Sequence, residues 1–125
     1  MIIHQKRVHL KSFANKPNKF IVERVCVPKG LSGLRVKLLA ETQLLDCLLV
    51  YDTTYNLRAE IGQVTGLDII VIHEDAMHTS DQAKPGHIPS GEWVIAFEIA
   101  ANCQKRNLNF SYMIEGIKED AIANY

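Results

Sequence analysis

Two imidazoles and two carboxylates fall within the six residues His73-Glu74-Asp75-Ala76-Met77-His78. Such a set can bind a divalent cation and activate water, which is the chemistry of phosphate-ester hydrolysis. The spacing is wrong for the helical zinc-protease pattern His-Glu-x-x-His, whose histidines share one helical face four residues apart. His73 and His78 are five apart, so a helix turns them in different directions and a strand puts them on opposite faces. Only a loop brings both to one ion, with Asp75 and a more distant His87 completing the ligands. The competing reading is a solvated loop following a short strand. That reading is preferred, so no metal or cofactor is expected, and His73, Asp75, His78 and His87 stand as the candidate ligands should one bind.

Nucleophilic chemistry has less support. There is no Gly-x-Ser-x-Gly elbow, Ser90 sits in Pro89-Ser90-Gly91, and Cys26, Cys47 and Cys103 occupy apolar or strand positions without an adjacent base. They are expected to be buried structural thiols. Gly30-Leu31-Ser32-Gly33 lacks the Lys-Ser/Thr of a phosphate-binding loop and reads as a turn. Asn109-Phe110-Ser111 matches a glycosylation acceptor but lies inside an expected strand. Trp93 could stack on a sugar, yet its place in an alternating apolar series makes it a core residue.

The elements that must position these groups are strands. Trp93, Ile95, Phe97 and Ile99 alternate with Glu92, Val94, Ala96 and Glu98, and after a polar stretch Leu108, Phe110, Tyr112 and Ile114 do the same. Two such runs in succession predict a hairpin. Phe20 to Val27 is a β-branched run ended by Pro28-Lys29-Gly30, Leu34, Val36 and Leu38 alternate with Arg35 and Lys37, and Ile69 to Ile72 is a short apolar run. Leu44, Leu45, Leu48 and Leu49 fit a helical stripe as well as a strand. The following Val50-Tyr51-Asp52-Thr53-Thr54-Tyr55 favours a strand over Leu44 to Tyr51 that closes in an Asp-led turn, with another strand near Leu57 to Gln63. Six to eight short strands without a convincing helix make an antiparallel two-sheet β-sandwich, with Val25, Val36, Leu49, Ile70, Trp93, Ile95, Phe97, Phe110 and Tyr112 on its inner faces.

The chain has 125 residues, of which 47% are hydrophobic and 22% charged, enough for one domain with its own core. Residues 1–18 read as an N-terminal strand or arm, 19–116 as the core and 117–125 as a tail. Fourteen basic and fourteen acidic residues cancel, so no net field draws the chain to nucleic acid or an anionic membrane. No apolar run is long enough for a membrane helix. No secretory signal is visible, and three widely spaced cysteines form no Cys-x-x-Cys, which points to reduced thiols in the cytoplasm. The charge is nevertheless polarised. Residues 1–37 hold nine basic residues and one acidic, leaving five basic and thirteen acidic for the remaining 88. The basic residues are interleaved with apolar ones, so pairing with acidic strands is preferred over a nucleic-acid-binding arm.

Four stretches together carry a family resemblance. Val25-Cys26-Val27-Pro28-Lys29-Gly30, Leu34-Arg35-Val36-Lys37-Leu38 and Leu45-Asp46-Cys47-Leu48-Leu49-Val50-Tyr51-Asp52 follow a layout of strand, Pro-x-Gly turn, strand and Leu-Asp-x-x-Leu-x-Asp strand. Lys84-Pro85-Gly86-His87-Ile88-Pro89-Ser90-Gly91-Glu92-Trp93 is similar to a Thr-Pro-Gly-Tyr, Leu-Pro-x-Gly-Glu-Trp stretch. This combination resembles the amino-terminal β-sandwich domain that precedes the catalytic domain in CehA/McbA-type (PHP-domain) metallo-phosphoesterases, and more distantly the jelly-roll pre-peptidase C-terminal domains. Lys84 and His87 depart from that pattern. The resemblance covers about Phe20 to Gly116 and implies a jelly-roll-like sandwich and a domain context, with no catalytic residue. The chain is then a fragment of a larger enzyme or a free-standing relative of its accessory domain.

These readings converge on a non-catalytic accessory or interaction domain whose partner is a protein, such as a phosphoesterase domain, or a second copy in a homodimer. In that homodimer Lys6, Arg7 and Lys11 would meet Glu115, Glu119 and Asp120. The alternatives are a carbohydrate-binding module and a metal-dependent phosphate-ester hydrolase that uses the His73 to His87 loop.

Overall fold

Residues that alternate between apolar and polar pack best on a pleated surface with one buried face, and β-strands are the main elements of the described chain. The computed structural model describes residues 1–10, 19–41, 43–103 and 107–118. Within them lie β1 (Ile2–Leu10), β2 (Phe20–Val27), β3 (Gly33–Ala40), β4 (Leu45–Tyr51), β5 (Leu57–Ile61), β6 (Leu67–His73), β7 (Gly91–Ile99) and β8 (Leu108–Ile117). Two single 3-10 turns, at Ala76–His78 and Ala101–Cys103, are the other regular elements among the described residues. No helix among them is long and apolar enough to cross a membrane.

The strands form two four-stranded antiparallel sheets, ordered β1-β8-β3-β6 and β2-β7-β4-β5. Strand β1 pairs with β8, β2 with β7, β3 with β6 and β4 with β5. Each pair is symmetrical about the turn between β4 and β5, as though one long hairpin had been folded at that turn and wrapped into two layers. This is the jelly-roll arrangement of the antiparallel sandwich. Its folding apex is the turn Asp52 to Asn56, where the Asp52 amide donates to the Asn56 carbonyl at 3.0 Å and the Tyr55 amide to the Asp52 carbonyl at 2.9 Å.

The core lies between the sheets. Val25, Val36, Ile70, Trp93, Ile95, Phe97, Phe110 and Tyr112 are all buried, and the Phe97 ring meets Phe110 at 4.9 Å and Tyr112 at 5.3 Å from the opposite sheet. Leu49 is a correction: it is half-buried and faces outward. The register of β4 against β7 shifts between Leu45 and Cys47, so Asp46 is an extra residue in a bulge. A bulge resets the alternation, which lets Leu45, Leu48 and Val50 all point inward. The same bulge explains why this segment mimics a helical stripe.

The expected β7–β8 hairpin is also corrected. The two strands belong to different sheets. The stretch between Ile99 and Leu108 is longer than a hairpin loop, and its first residues bind elsewhere: the Ala100 amide donates to the Leu44 carbonyl at 2.9 Å, and Cys103 is buried. Alternation identifies a strand and its inner face, but not the sheet it joins.

Candidate functional site

His73 ends β6 and is buried at 4% exposure, not part of a solvated loop. Its ring lies over Gly33 of the neighbouring β3, where a side-chain Cβ would meet the ring at 2.8 Å. His73 Nδ1 accepts the Asp75 backbone N–H at 2.9 Å. In the neutral ring that leaves the proton on Nε2, so the nitrogen a metal would need is a donor. Asp75 accepts the Met77 N–H at 3.0 Å and so caps the 3-10 turn. The His78 ring stands edge-on to His73 at 5.1 Å, with its Nε2 3.8 Å from Asp75 Oδ2. Three of the four candidate ligands therefore gather. His87 is placed differently, on the loop that binds Arg58. Among the described residues no three His, Cys, Asp or Glu side chains form a group able to hold a metal ion.

Another, densely connected polar group lies where strand patterns did not point. Arg58, on β5, is 6% exposed, and Asp52 is 4% exposed. The Arg58 guanidinium donates to the His87 carbonyl at 2.8 Å and the Gly86 carbonyl at 3.0 Å, with longer bonds of 3.4 Å to the Lys84 carbonyl and Asp52 Oδ2. It also lies over the Trp93 ring, whose Nε1 donates to the Pro89 carbonyl at 2.8 Å. Arg58 and Trp93 thus hold the 84–89 segment from beneath. Asp52 in turn accepts from the Thr54 and Asn56 amides and the Thr54 hydroxyl. Burial pushes the Asp52 carboxyl up, but the bonds from Asn56 and Thr54 outweigh it and hold its pKa below the ordinary range. Between the turn and this segment lies an open groove of about 570 Å³, reached by Thr54, Asn56, Lys84 and His87. Asp52 was legible as a turn-former, whereas nothing local to Arg58 marks it as buried.

On the other side of the sandwich, the edge strands β1 and β2 are bridged by a second polar set. The buried Tyr112 hydroxyl donates to Glu23 Oε1 at 2.8 Å and lies 2.9 Å from His4 Nε2, while Lys6 Nζ pairs with Glu23 at 2.8 Å. Burial and the Glu23 carboxylate push the Tyr112 phenol far above its ordinary pKa. This cluster ties the two sheets, since Tyr112 lies on β8 and Glu23 on β2.

The three cysteines are free thiols. Cys103 is buried, but Cys26 is exposed on β2, against the expectation of buried thiols. Burial and the nearby carboxylates of Glu60, Glu98 and Asp46 raise the Cys47 pKa, which disfavours its thiolate.

The outer faces of both sheets carry apolar residues. On the β1-β8-β3-β6 face, Leu39, Leu67 and Ile69 are 60, 74 and 57% exposed. They adjoin through the cross-strand partners Leu39↔Leu67 and Lys37↔Ile69, with half-buried Met113 beside Lys37. On the β2-β7-β4-β5 face, Phe20 and Val22 are 47 and 53% exposed, and Val22 continues into Ala96 and Leu49. Of the charges expected to join two copies, Glu115 pairs with Lys37 at 2.8 Å and Arg35 at 3.7 Å in its own chain. Lys6 pairs with Glu23, whereas Lys11, Glu119 and Asp120 lie outside the described residues. Compared with known proteins, the chain matches no family model and no curated protein.

Proposed function

We propose that this chain is a non-catalytic interaction domain, the accessory kind that sits beside a catalytic partner such as a PHP-type phosphoesterase. One observation carries the reading: the contiguous Leu39, Leu67 and Ile69 on the outer face of the β1-β8-β3-β6 sheet. Large aliphatic side chains exposed together cost solubility and mark a surface that is covered by something else. The buried polar groups support the same reading, because Arg58, Asp52, His73 and Tyr112 all spend their hydrogen bonds on holding the fold. Free thiols fit a reducing cytoplasmic setting.

Replacing Leu67 and Ile69 with Thr keeps strand propensity and removes the apolar surface. The expected change in unfolding free energy is within about 0.5 kcal/mol, read by urea denaturation. A loss above about 2 kcal/mol would place these residues in the fold and remove the basis of the reading. Elemental analysis tests the non-catalytic part. Stoichiometric zinc, manganese or iron that disappears in His73→Ala, together with phosphate-ester hydrolysis, overturns it in favour of the hydrolase alternative.

A ligand-binding module for carbohydrate is the second reading, favoured by Tyr55. This residue is 72% exposed and held at φ 65°, between two residues that line the 570 Å³ groove. Left-handed backbone costs a non-glycine residue about 1 kcal/mol, so Tyr55→Gly stabilises the fold while removing the aromatic surface. Saturable heat from an oligosaccharide titration that vanishes in Tyr55→Gly supports this module, and no heat at millimolar sugar removes it.

A further inference from the structure

We propose that copies of this chain associate head to tail, the outer face of the β1-β8-β3-β6 sheet of one copy docking on the outer face of the β2-β7-β4-β5 sheet of the next. The inference rests on the interaction-domain reading and names the occupant of the exposed apolar surface.

The first outer face carries its exposed apolar residues Leu39, Leu67 and Ile69 toward the β6 edge, beside Arg35 and Lys37 on β3, whereas the second has Val22, Ala96 and Leu49 across its middle, and the two faces differ in charge. Outward from the first sheet stand Arg7, Arg35 and Lys37 against Glu115 alone. Outward from the second stand Glu60, Glu92 and Glu98 against Arg24, with exposed Asp46 added at the bulge and the Lys19 ammonium over the Phe20 ring. Among the described residues, the two outer faces therefore carry an excess of opposite sign. The same charges shift two titratable groups in opposite senses. On the basic face, the Lys37 and Arg35 side chains hold the Glu115 carboxyl below its ordinary pKa, and on the acidic face Glu60, Glu98 and Asp46 raise the Cys47 thiol beyond what burial does.

Docking either face on itself would bring like charges together, which suppresses such pairing. Docking one on the other joins exposed apolar residues to exposed apolar residues between faces of opposite charge. The sheet edges are poorer routes. β5 and β6 are covered by the 79–84 stretch, which bonds to Val71, Arg58 and Glu60, and β1 and β2 carry the inward-pointing charges Lys6 and Glu23 that discourage edge pairing. Four strands of about eight residues make a face of roughly 19 by 26 Å. That size sets the association at the weak end of specific interfaces. A heterologous contact of this kind builds an open row or a closed ring.

Sedimentation of the full chain over a wide concentration range is the test, with two variants at exposed positions whose circular dichroism melts match wild type. Leu39→Glu puts a carboxylate into the basic face opposite an acidic one, and Val22→Lys puts an ammonium into the acidic face opposite a basic one. The expected result is concentration-dependent growth of the wild type that weakens with salt, loss of growth in each variant alone, and recovered association when the two variants are mixed. Recovery on mixing follows because each variant keeps the face the other has lost. Association lost in only one variant means a face pairs with itself and overturns the proposal. A wild type that stays at the monomer mass at the highest concentration also overturns it, and points to a different protein on the Leu39 surface. The interaction-domain reading then still stands or falls on its own Leu67 and Ile69 test.

Discussion

The sandwich closes its two open sides by different means. Beside β5 and β6, backbone does the work: the Ser80 amide donates to the Val71 carbonyl at 2.9 Å, the Lys84 amide to the Arg58 carbonyl at 2.8 Å, and the Glu60 amide to the Gln82 carbonyl at 3.0 Å. One buried cation, Arg58, then gathers the carbonyls of the following segment. Beside β1 and β2, side chains do it, through Tyr112, Glu23, His4 and Lys6. The first side is a fixed covering built around a permanently charged group. The second is a set of side-chain bonds around one buried phenol, at edges left without a covering strand among the described residues.

The largest effect expected from breaking this contrast is on the covered side. Arg58→Ala strands the Gly86 and His87 carbonyls and leaves Asp52 without its cation, so it should cost about 3–5 kcal/mol in urea unfolding. A cost under about 1 kcal/mol would mean that the 84–89 segment holds itself in place. The pH dependence of this side has a definite sign. Because the folded Asp52 pKa is depressed below its ordinary 3.8, its contribution is complete above the unfolded value and disappears as pH falls through the folded one. Stability measured from pH 5 downward should therefore fall less steeply in Asp52→Asn than in wild type.

The contrast also marks what local sequence can reveal. Strand β7 is legible because Trp93, Ile95, Phe97 and Ile99 are simultaneously apolar, alternate and buried, and the Asp52 turn is legible because Asp, Thr and Asn bond their own backbone. Arg58 is not legible, since its partners are carbonyls 26 to 29 residues away. Nothing in Leu57-Arg58-Ala59-Glu60 separates the buried cation from the exposed Glu60 two positions on. Leu49 was misplaced because a single extra residue, Asp46, resets the facing of everything after it. The His73 cluster was legible as a composition, but the acceptor role of Nδ1 depends on the turn that follows. Sheet membership was the deepest loss, because β7 and β8 have the same alternation and differ only in distant partners.

On the polar-bridged side the expected effect is intermediate. Tyr112→Phe keeps the buried ring against Phe97 and removes the donor to Glu23, so it should cost about 1–2 kcal/mol. Its pH signature is opposite to that of Asp52. The folded pKa of Tyr112 lies well above its ordinary 10.0, so this contribution is complete below that value and is lost as pH rises through the folded one. Wild type should lose stability in alkaline solution faster than Tyr112→Phe. Equal alkaline slopes in the two proteins would mean that the phenol does not tie the sheets.

The smallest stability effect separates the two sides by function. Lys6 is half-exposed and pairs with Glu23 across the gap between β1 and β2. An exposed pair of this kind contributes about 0–1 kcal/mol, so Lys6→Ala should barely move the unfolding curve. Its larger role is that of a charge pointing inward from an uncovered edge, where it opposes addition of another strand. Light scattering at fixed concentration should therefore rise faster with time for Lys6→Ala than for wild type. Lys84→Ala is the control, because its backbone lies in the segment that already covers β5, and it should scatter like wild type. If both lysine variants scatter alike, general loss of positive charge explains the change and the edge is not what Lys6 protects. If Lys6→Ala alone aggregates, and does so without loss of stability, the two sides differ as the geometry says: one is closed by chain, and the other is kept from closing on a neighbour by a single charge.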